Sequence, residues 1–450
     1  MNNYKNIFFV GIGGIGMSAL ARYFRSLGKV IYGYDRTKTS LTDKLQQEGI
    51  LVHYTDDLSN IPSDLNRENT LIITTPAVPK SNVEWNYFLE KDFTIKKRSE
   101  ILGEITKDTF CFAIAGTHGK TTTTAILGHI LYQSGIEVTA FVGGIVENYN
   151  SNLIGNGKKI TLVEADEFDR SFLSLHPNIA CVTSIDADHL DIYGDKSHFE
   201  QSFIEFANKI SDKTKIFAPE NLELNATKIG FSDETSFKAE NIRIQNGSYV
   251  FDVKTKENTI ENLRFNLPGK HNLSNALMAI AMAKTYGISD ENIRKSLESF
   301  QGIQRRFSYK IKTENLVLID DYAHHPTEIN AVYNTLTELY PSKKKMVIFQ
   351  PHLFSRTRDF LNEFAYSLSQ FDQIVLLDIY PARELPIKGI SSDLLLEKIT
   401  NQNKKLLTKE TLNDYVLRSE AQVVAILGAG DIADLVLPIK EILEKQKVKK

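Results

Sequence analysis

The chain has 450 residues, 42% of them hydrophobic and 24% charged, a balance that excludes disorder as the main state. Its 53 basic and 56 acidic side chains leave a net charge of −3, so no overall basic field recruits nucleic acid or anionic lipid. Two cysteines, Cys111 and Cys181, exclude a disulfide scaffold and a cysteine-based zinc centre. At roughly 100–200 residues per domain, the length predicts about three domains.

Residues 6–10 predict a strand, 11–16 a glycine turn, and 17–27 a helix that stops at Gly28. A second strand over 30–34 ends at Asp35, and a later one over 71–74 runs into Thr75-Pro76-Ala77-Val78-Pro79. Strands alternating with helices in this way imply a parallel sheet covered on both faces. The apolar run 7–21 could pass for the core of a signal peptide. Its glycines at 11, 13, 14 and 16 and the lack of a small-residue cleavage site argue against that reading. A cytoplasmic protein with no membrane insertion is expected.

The pattern restarts near residue 110, with a strand over 110–115, a turn over 116–120 and a helix over 121–134 closed by Gly135. Strands over 159–163 and 178–184 follow, each ending in acidic residues. Residues 215–266 change to short alternating stretches with an Asn246-Gly247 turn, which predicts a hairpin insertion. A helix over 272–286 follows Pro268-Gly269. A third unit begins near Gly302, with strands over 316–319, 345–349, 373–377 and 422–427 and mostly helical stretches between them. The expected architecture is α/β in three domains: 1–106, 107–302 and 303–450.

The first turn, Gly11-Ile12-Gly13-Gly14-Ile15-Gly16, lies between a strand and a helix. Glycines there let backbone N–H groups at a helix N-terminus approach a diphosphate, and Asp35 stands about where a ribose-binding acid is expected. A dinucleotide or a nucleotide-sugar would satisfy the turn equally. The second turn, Gly116-Thr117-His118-Gly119-Lys120-Thr121-Thr122, is more specific. A row of N–H groups ending in lysine and a hydroxyl provides for phosphate oxygens, γ-phosphate charge and Mg²⁺. It departs from the ordinary phosphate loop, because Ile114 stands where that pattern places its first glycine.

Two acidic clusters support the second turn: Glu164-Ala165-Asp166-Glu167-Phe168-Asp169, and Asp186, Asp188, His189 and Asp191. Hard oxygen ligands and one imidazole at neighbouring strand ends suit Mg²⁺ or Mn²⁺ bridging ATP phosphates. Asp166 and Asp169 individually read as solvated loop acids. Further on, His324-His325-Pro326 reads as a helix cap with orienting roles rather than a metal pair, because Pro326 fits the first helical position. Arg305-Arg306-Phe307 leaves open which arginine is functional.

Together these motifs resemble the Mur ligase family of ATP-dependent amide-forming enzymes. The resemblance covers essentially the whole chain in one order: GIGGIGMSALA, GTHGKTT, EADEFD, DADHLD, GKHNLSNA, RRF, DDYAHHPTE, QPHLFSRTRD and GAGDI. It implies a Rossmann-like N-terminal unit for a UDP-sugar, a central ATPase with a small β insertion, and a Rossmann-like C-terminal unit that closes on both. It also implies ATP and Mg²⁺ (or Mn²⁺), with UDP-N-acetylmuramate and L-alanine as substrates joined through an acyl phosphate. Carried over residue by residue, Gly11, Gly13, Gly14 and Gly16 face the UDP-sugar. Gly116, Thr117, His118, Gly119, Lys120, Thr121, Thr122, His271, Asn272 and Asn275 face ATP. Thr121, Glu164 and His189 are the implied metal ligands, and Lys120, Glu164, His189, Arg306 and Asp321 the implied catalytic set.

Three other readings compete. A dinucleotide-dependent oxidoreductase leaves the second turn and both acidic clusters unexplained. A non-catalytic nucleotide-binding module has no need of two glycine turns, and a ligase that recycles preformed peptides differs in its amine.

Overall fold

The computed structural model describes residues 4–186, 193, 195–245, 248–382 and 384–447. Three sheets follow one another along the chain. The first contains β1 (Asn6–Val10), β2 (Val30–Tyr34), β3 (Leu51–His53), β4 (Thr70–Thr74) and β5 (Thr94–Lys97) in the order β3-β2-β1-β4-β5. Every pairing in it is parallel. All five residues of β1 are buried, as a central strand covered on both faces requires. The order reverses beside β1, so a crevice opens where β1 and β4 end. Gly11 stands at that point with φ +88°, and a Cβ there would meet Thr75 and Val78 side-chain carbons at 3.2 Å.

The second sheet has ten strands: β6 (Phe110–Ala115), β7 (Val138–Val146), β8 (Ser151–Ile154), β9 (Ile160–Glu164), β10 (Ile179–Val182), β11 (Ile216–Pro219), β12 (Thr227–Gly230), β13 (Phe237–Gln245), β14 (Ser248–Lys254) and β15 (Thr259–Phe265). Their order is β15-β14-β13-β12-β11-β10-β6-β9-β7-β8. β6 is flanked by β9 and β10, both parallel to it. The expected insertion is present as β13 to β15, with β14 and β15 antiparallel. The Asn246-Gly247 turn lies outside the described residues.

The first two sheets belong to one compact unit. One apolar cluster takes in Ile7, Phe9 and Ile73 from the first, Phe24 from the helix Ile15–Ser26, and Cys111, Phe141 and Val163 from the second. A buried polar joint accompanies it. Arg22, on the helix Ile15–Ser26, pairs with Glu48 at 2.8 Å and donates to Asn152 Oδ1; Asn152 donates back to Ile15 O at 2.6 Å and Ser18 Oγ at 2.9 Å. Core packing therefore runs straight across the domain limit expected near residue 106.

The second unit holds the third sheet: β16 (Ser308–Lys312), β17 (Val317–Asp321), β18 (Lys345–Phe349), β19 (Gln373–Leu376), β20 (Lys404–Leu406) and β21 (Val423–Leu427). The order is β16-β17-β21-β18-β19-β20, parallel except for the edge hairpin β16–β17. Apolar clusters lie on its two faces, one built around Ile319, Val347 and Ala425, the other around Leu318, Ile348 and Ile426.

A buried histidine gives the first unit a pH-dependent stability. His129 is 1% exposed, with Nδ1 2.6 Å from the Tyr149 hydroxyl and Nε2 2.9 Å from Ser299 Oγ. Ser299 donates its own proton to Ser296 O at 3.2 Å, so it accepts from Nε2–H while Tyr149 donates to Nδ1. Both nitrogens are served with the ring neutral. Burial lowers the imidazole to about 4, so between pH 6.5 and 4 the unfolded chain takes up a proton that the folded chain refuses. Stability is lost as pH falls through that window, by about 3 kcal/mol in all. Urea midpoints at pH 7.5 and 5 should therefore differ more for the wild type than for His129→Gln; equal differences would show that the ring is not the titrating group.

Candidate active site

The phosphate-type turn follows β6 and opens the helix Lys120–Gln133. Its shape is dictated from the end of β10. Thr117 N–H donates to Ser184 O at 3.1 Å, His118 N–H donates to Ser184 Oγ at 2.8 Å, and the Thr117 hydroxyl donates to Asp186 O at 2.9 Å. Gly116 has φ +130°, and a Cβ there would lie 2.1 Å from Thr183 Oγ1. Gly119 is left-handed at the helix N-cap, and a Cβ there would lie 2.5 Å from Asn275 Oδ1. Both glycines are needed for space as well as backbone angle. The turn ends with Lys120 and Thr121 on the first helical turn, where backbone N–H groups have no intrahelical acceptor.

The Lys120 ammonium donates to Glu167 Oε2 at 2.6 Å, Glu167 Oε1 at 2.9 Å and Gly116 O at 2.5 Å. Burial opposes its charge, but Glu167, Asp166 and Glu164 outweigh that and hold it above the ordinary lysine value. Lys120 is a fixed cation. Asp166 is tied in turn to Arg98 Nη2 at 3.0 Å, and Arg98 packs against Gly16, where a Cβ would lie 3.0 Å from Nη1. Asp166 is thus an ion-paired residue rather than the free loop acid expected from sequence.

The strand β9 ends at Glu164, beside the turn. The Thr121 hydroxyl donates to Glu164 Oε2 at 3.1 Å, and Gly143 N–H donates to Oε1 at 2.5 Å. A hydroxyl and a carboxylate this close form a pair of hard oxygen donors, which fits Mg²⁺. Among the described residues no group of three or more His, Cys, Asp or Glu side chains gathers to hold a metal. Asp188, His189 and Asp191 lie outside the described residues. Sequence marks Glu164 as an expected metal ligand, and on that expectation Glu164→Ala should raise the Mg²⁺ needed for half-maximal ATP turnover on the order of tenfold. A magnesium titration that matches the wild type would return Glu164 to a loop role.

The first turn holds the other four glycines. Gly13 N–H donates to Asp35 Oδ2 at 2.7 Å, Thr37 N–H donates to Oδ1 at 3.0 Å, and Gly14 is the N-cap of the helix Ile15–Ser26. Asp35 therefore braces the turn, at the position where sequence places a ribose-binding acid. On the helix Lys270–Tyr286, Asn275 meets the phosphate turn at Gly119. The Asn272 amide donates to Pro268 O at 2.7 Å and so holds the helix start, while His271 is exposed.

In the second unit the turns after β17, β18 and β21 lie at one end of the sheet. Asp321 accepts Phe307 N–H at 2.6 Å and Ala323 N–H at 2.7 Å. Burial lifts its carboxyl to about 6, against the pull of Arg306. These bonds make it the organiser of the loops that carry the arginines and Tyr322. Arg305 and Arg306 both stand over the Tyr322 ring at 5.1 Å. Arg305 also donates to Gly428 O at 2.5 Å, whereas Arg306 has a longer ionic contact with Glu328 at 3.8 Å. Arg306 is the less committed of the two. His325 caps the helix Pro326–Leu339 by accepting Thr327 N–H at 3.3 Å, and Glu328 returns to the backbone of His324 and His325. The expected cap at His-His-Pro is present.

Three parts of the chain match parts of one family: residues 6–109 the Mur ligase catalytic domain, 114–283 the Mur ligase middle domain, and 305–436 the Mur ligase glutamate ligase domain. The UDP-N-acetylmuramate–L-alanine ligase of Flavobacterium psychrophilum is 61% identical over 446 residues, covering 99% of this chain and 100% of that one. Among solved structures, the UDP-N-acetylmuramate–alanine ligase of Thermotoga maritima superposes with a TM-score of 0.83 at 28% identity, over 99% of this chain and 100% of its own. A murein peptide ligase from Psychrobacter arcticus shares the fold, with a TM-score of 0.71 at 21% identity over 98% of both chains. Likeness of this extent runs through sequence as well as fold, and this chain belongs to the Mur ligase family.

Proposed function

We propose that this chain is an ATP-dependent ligase that joins L-alanine to the lactoyl carboxylate of UDP-N-acetylmuramate, a step of peptidoglycan biosynthesis, in the cytoplasm. The observation that carries this reading is the phosphate turn itself. A fixed lysine cation and the Thr121 hydroxyl stand on one helix start, with Glu164 at the end of β9 bonded to Thr121, in a chain similar along its whole length to alanine-adding ligases. Among the described residues no helix is long and apolar enough to cross a membrane.

A carboxylate is a poor acyl donor at neutral pH, so its oxygen must first become a leaving group. Lys120 and the free N–H groups of the first helical turn neutralise the γ-phosphoryl group as it moves to the lactoyl carboxylate. Thr121 and Glu164 are the described residues that would hold Mg²⁺, which would neutralise the phosphate oxygens. The Gly11–Gly16 turn would hold the diphosphate of the sugar nucleotide at the start of a helix. Arg306, oriented by Tyr322, is the proposed further cation, and Asp321 positions its loop. The amine of alanine then adds to the acyl carbon, the C–O bond to phosphate breaks, and inorganic phosphate leaves. The amide is the product.

The test is phosphate release from ATP with UDP-N-acetylmuramate and each amino acid in turn. Release should depend on both the sugar nucleotide and L-alanine. Release that depends instead on a preformed peptide would assign the recycling activity.

A further inference from the structure

The Lys120 ammonium has three protons and already faces four oxygens: two of Glu167, Gly116 O at 2.5 Å and Thr117 O at 3.4 Å. Glu167 is 3% exposed, and both of its carboxylate oxygens lie on the lysine. Its backbone is fixed as well, because the buried Tyr193 hydroxyl donates to Glu167 O at 2.5 Å. A phosphate that takes a proton from Lys120 must therefore displace Glu167 by rotation of its side chain alone. The two carbonyls belong to the backbone of the turn itself and stay in place when the carboxylate rotates.

We propose that Glu167 is a positioning residue that competes with the nucleotide's phosphates for Lys120 and thereby sets nucleotide affinity. The inference rests on the reading of this turn as the nucleotide site. While paired, Glu167 keeps the ammonium aimed along the turn. When phosphate arrives, the carboxylate gives up at least one contact, so apparent affinity is lower by the fraction of chains in which Lys120 is committed to Glu167. Simple repulsion between Glu167 and phosphate would also weaken binding, but it would do so whether or not the lysine is present. That difference separates the two.

The experiment is calorimetric binding of ADP to the full chain in EDTA, so that no divalent cation takes part. It uses the wild type, Glu167→Gln, Lys120→Met and the double variant, each checked for folding by circular dichroism. Glu167→Gln should bind ADP roughly fivefold tighter than the wild type, and Lys120→Met more weakly. In the Lys120→Met background, Glu167→Gln should change nothing. Glu167→Asp, which keeps the charge but shortens its reach, should give a smaller gain and serves if the glutamine variant does not fold. In turnover, KM for ATP should fall with no rise in kcat. Unchanged or weaker ADP binding by folded Glu167→Gln overturns the proposal, as does an equal gain in the Lys120→Met background. Equal binding by wild type and Lys120→Met would instead overturn the assignment of the nucleotide site.

Discussion

Lys120→Ala should lower kcat by at least about a thousandfold, because it removes a fixed cation at the start of the helix proposed to bind the phosphates. It should also destabilise the first unit. Glu167 is 3% exposed, and losing its ammonium partner leaves a buried carboxylate without compensation, which costs on the order of 3 kcal/mol. Loss of activity alone would therefore confuse chemistry with folding. The double variant Lys120→Ala/Glu167→Gln separates them, since neutralising the stranded acid restores most of the lost stability. Melting of the single variant should fall below the wild type, the double variant should recover most of the difference, and both should remain inactive. A double variant that regains turnover would mean that Lys120 only offsets Glu167 and has no part in phosphoryl transfer.

This coupling shows where sequence stops being informative. The strand Phe110–Ala115 and the turn after it are legible, because a short apolar run meets glycines, a lysine and hydroxyls in an order that serves one chemistry. Val30–Tyr34, ending at an acid, is legible for the same reason. The antiparallel pair β7–β8 is not, since Gly143 and Gly144 interrupt the run in the manner of a loop. Gly143 is required by tertiary crowding: a Cβ there would lie 2.6 Å from Glu164 Oε2. The edge strand Thr94–Lys97 is hidden by its lysines, which suit a half-exposed edge and carry no alternation.

The site divides along the same line. The placing of Lys120 and Thr121 on the turn, and the capping pair His325 and Glu328, follow from local order. Partners brought in from other segments do not. Sequence shows Asp166 and Glu167 only as acidic density, because their ion pairs with Arg98 and Lys120 close over 68 and 47 residues. Asp35 shows the same limit. Its position after β2 is right for a ribose, but the nearest donor is the Gly13 N–H inside the turn.

ATP, Mg²⁺ and UDP-N-acetylmuramate, without alanine, should form an activated species that hydroxylamine captures as a hydroxamate. Glu167 holds Lys120 and Glu164 holds Thr121 through contacts that involve no amine, so phosphoryl transfer to the lactoyl carboxylate need not wait for the second nucleophile. Alanine should suppress the hydroxamate, because both amines compete for one acyl carbon. Hydroxylamine could also stand in for alanine in a direct attack, so capture alone does not prove an intermediate. Borohydride settles the point, since hydride has no role as a substrate amine. Rapid quenching into borohydride should reduce the lactoyl carboxyl to an alcohol only when ATP is present, and Lys120→Ala/Glu167→Gln should give none. An enzyme that is turning over yet yields no reduced sugar nucleotide would overturn the acyl phosphate. The site would then have to bring carboxylate, amine and γ-phosphate together in one step, and Lys120 would be left stabilising a concerted transfer.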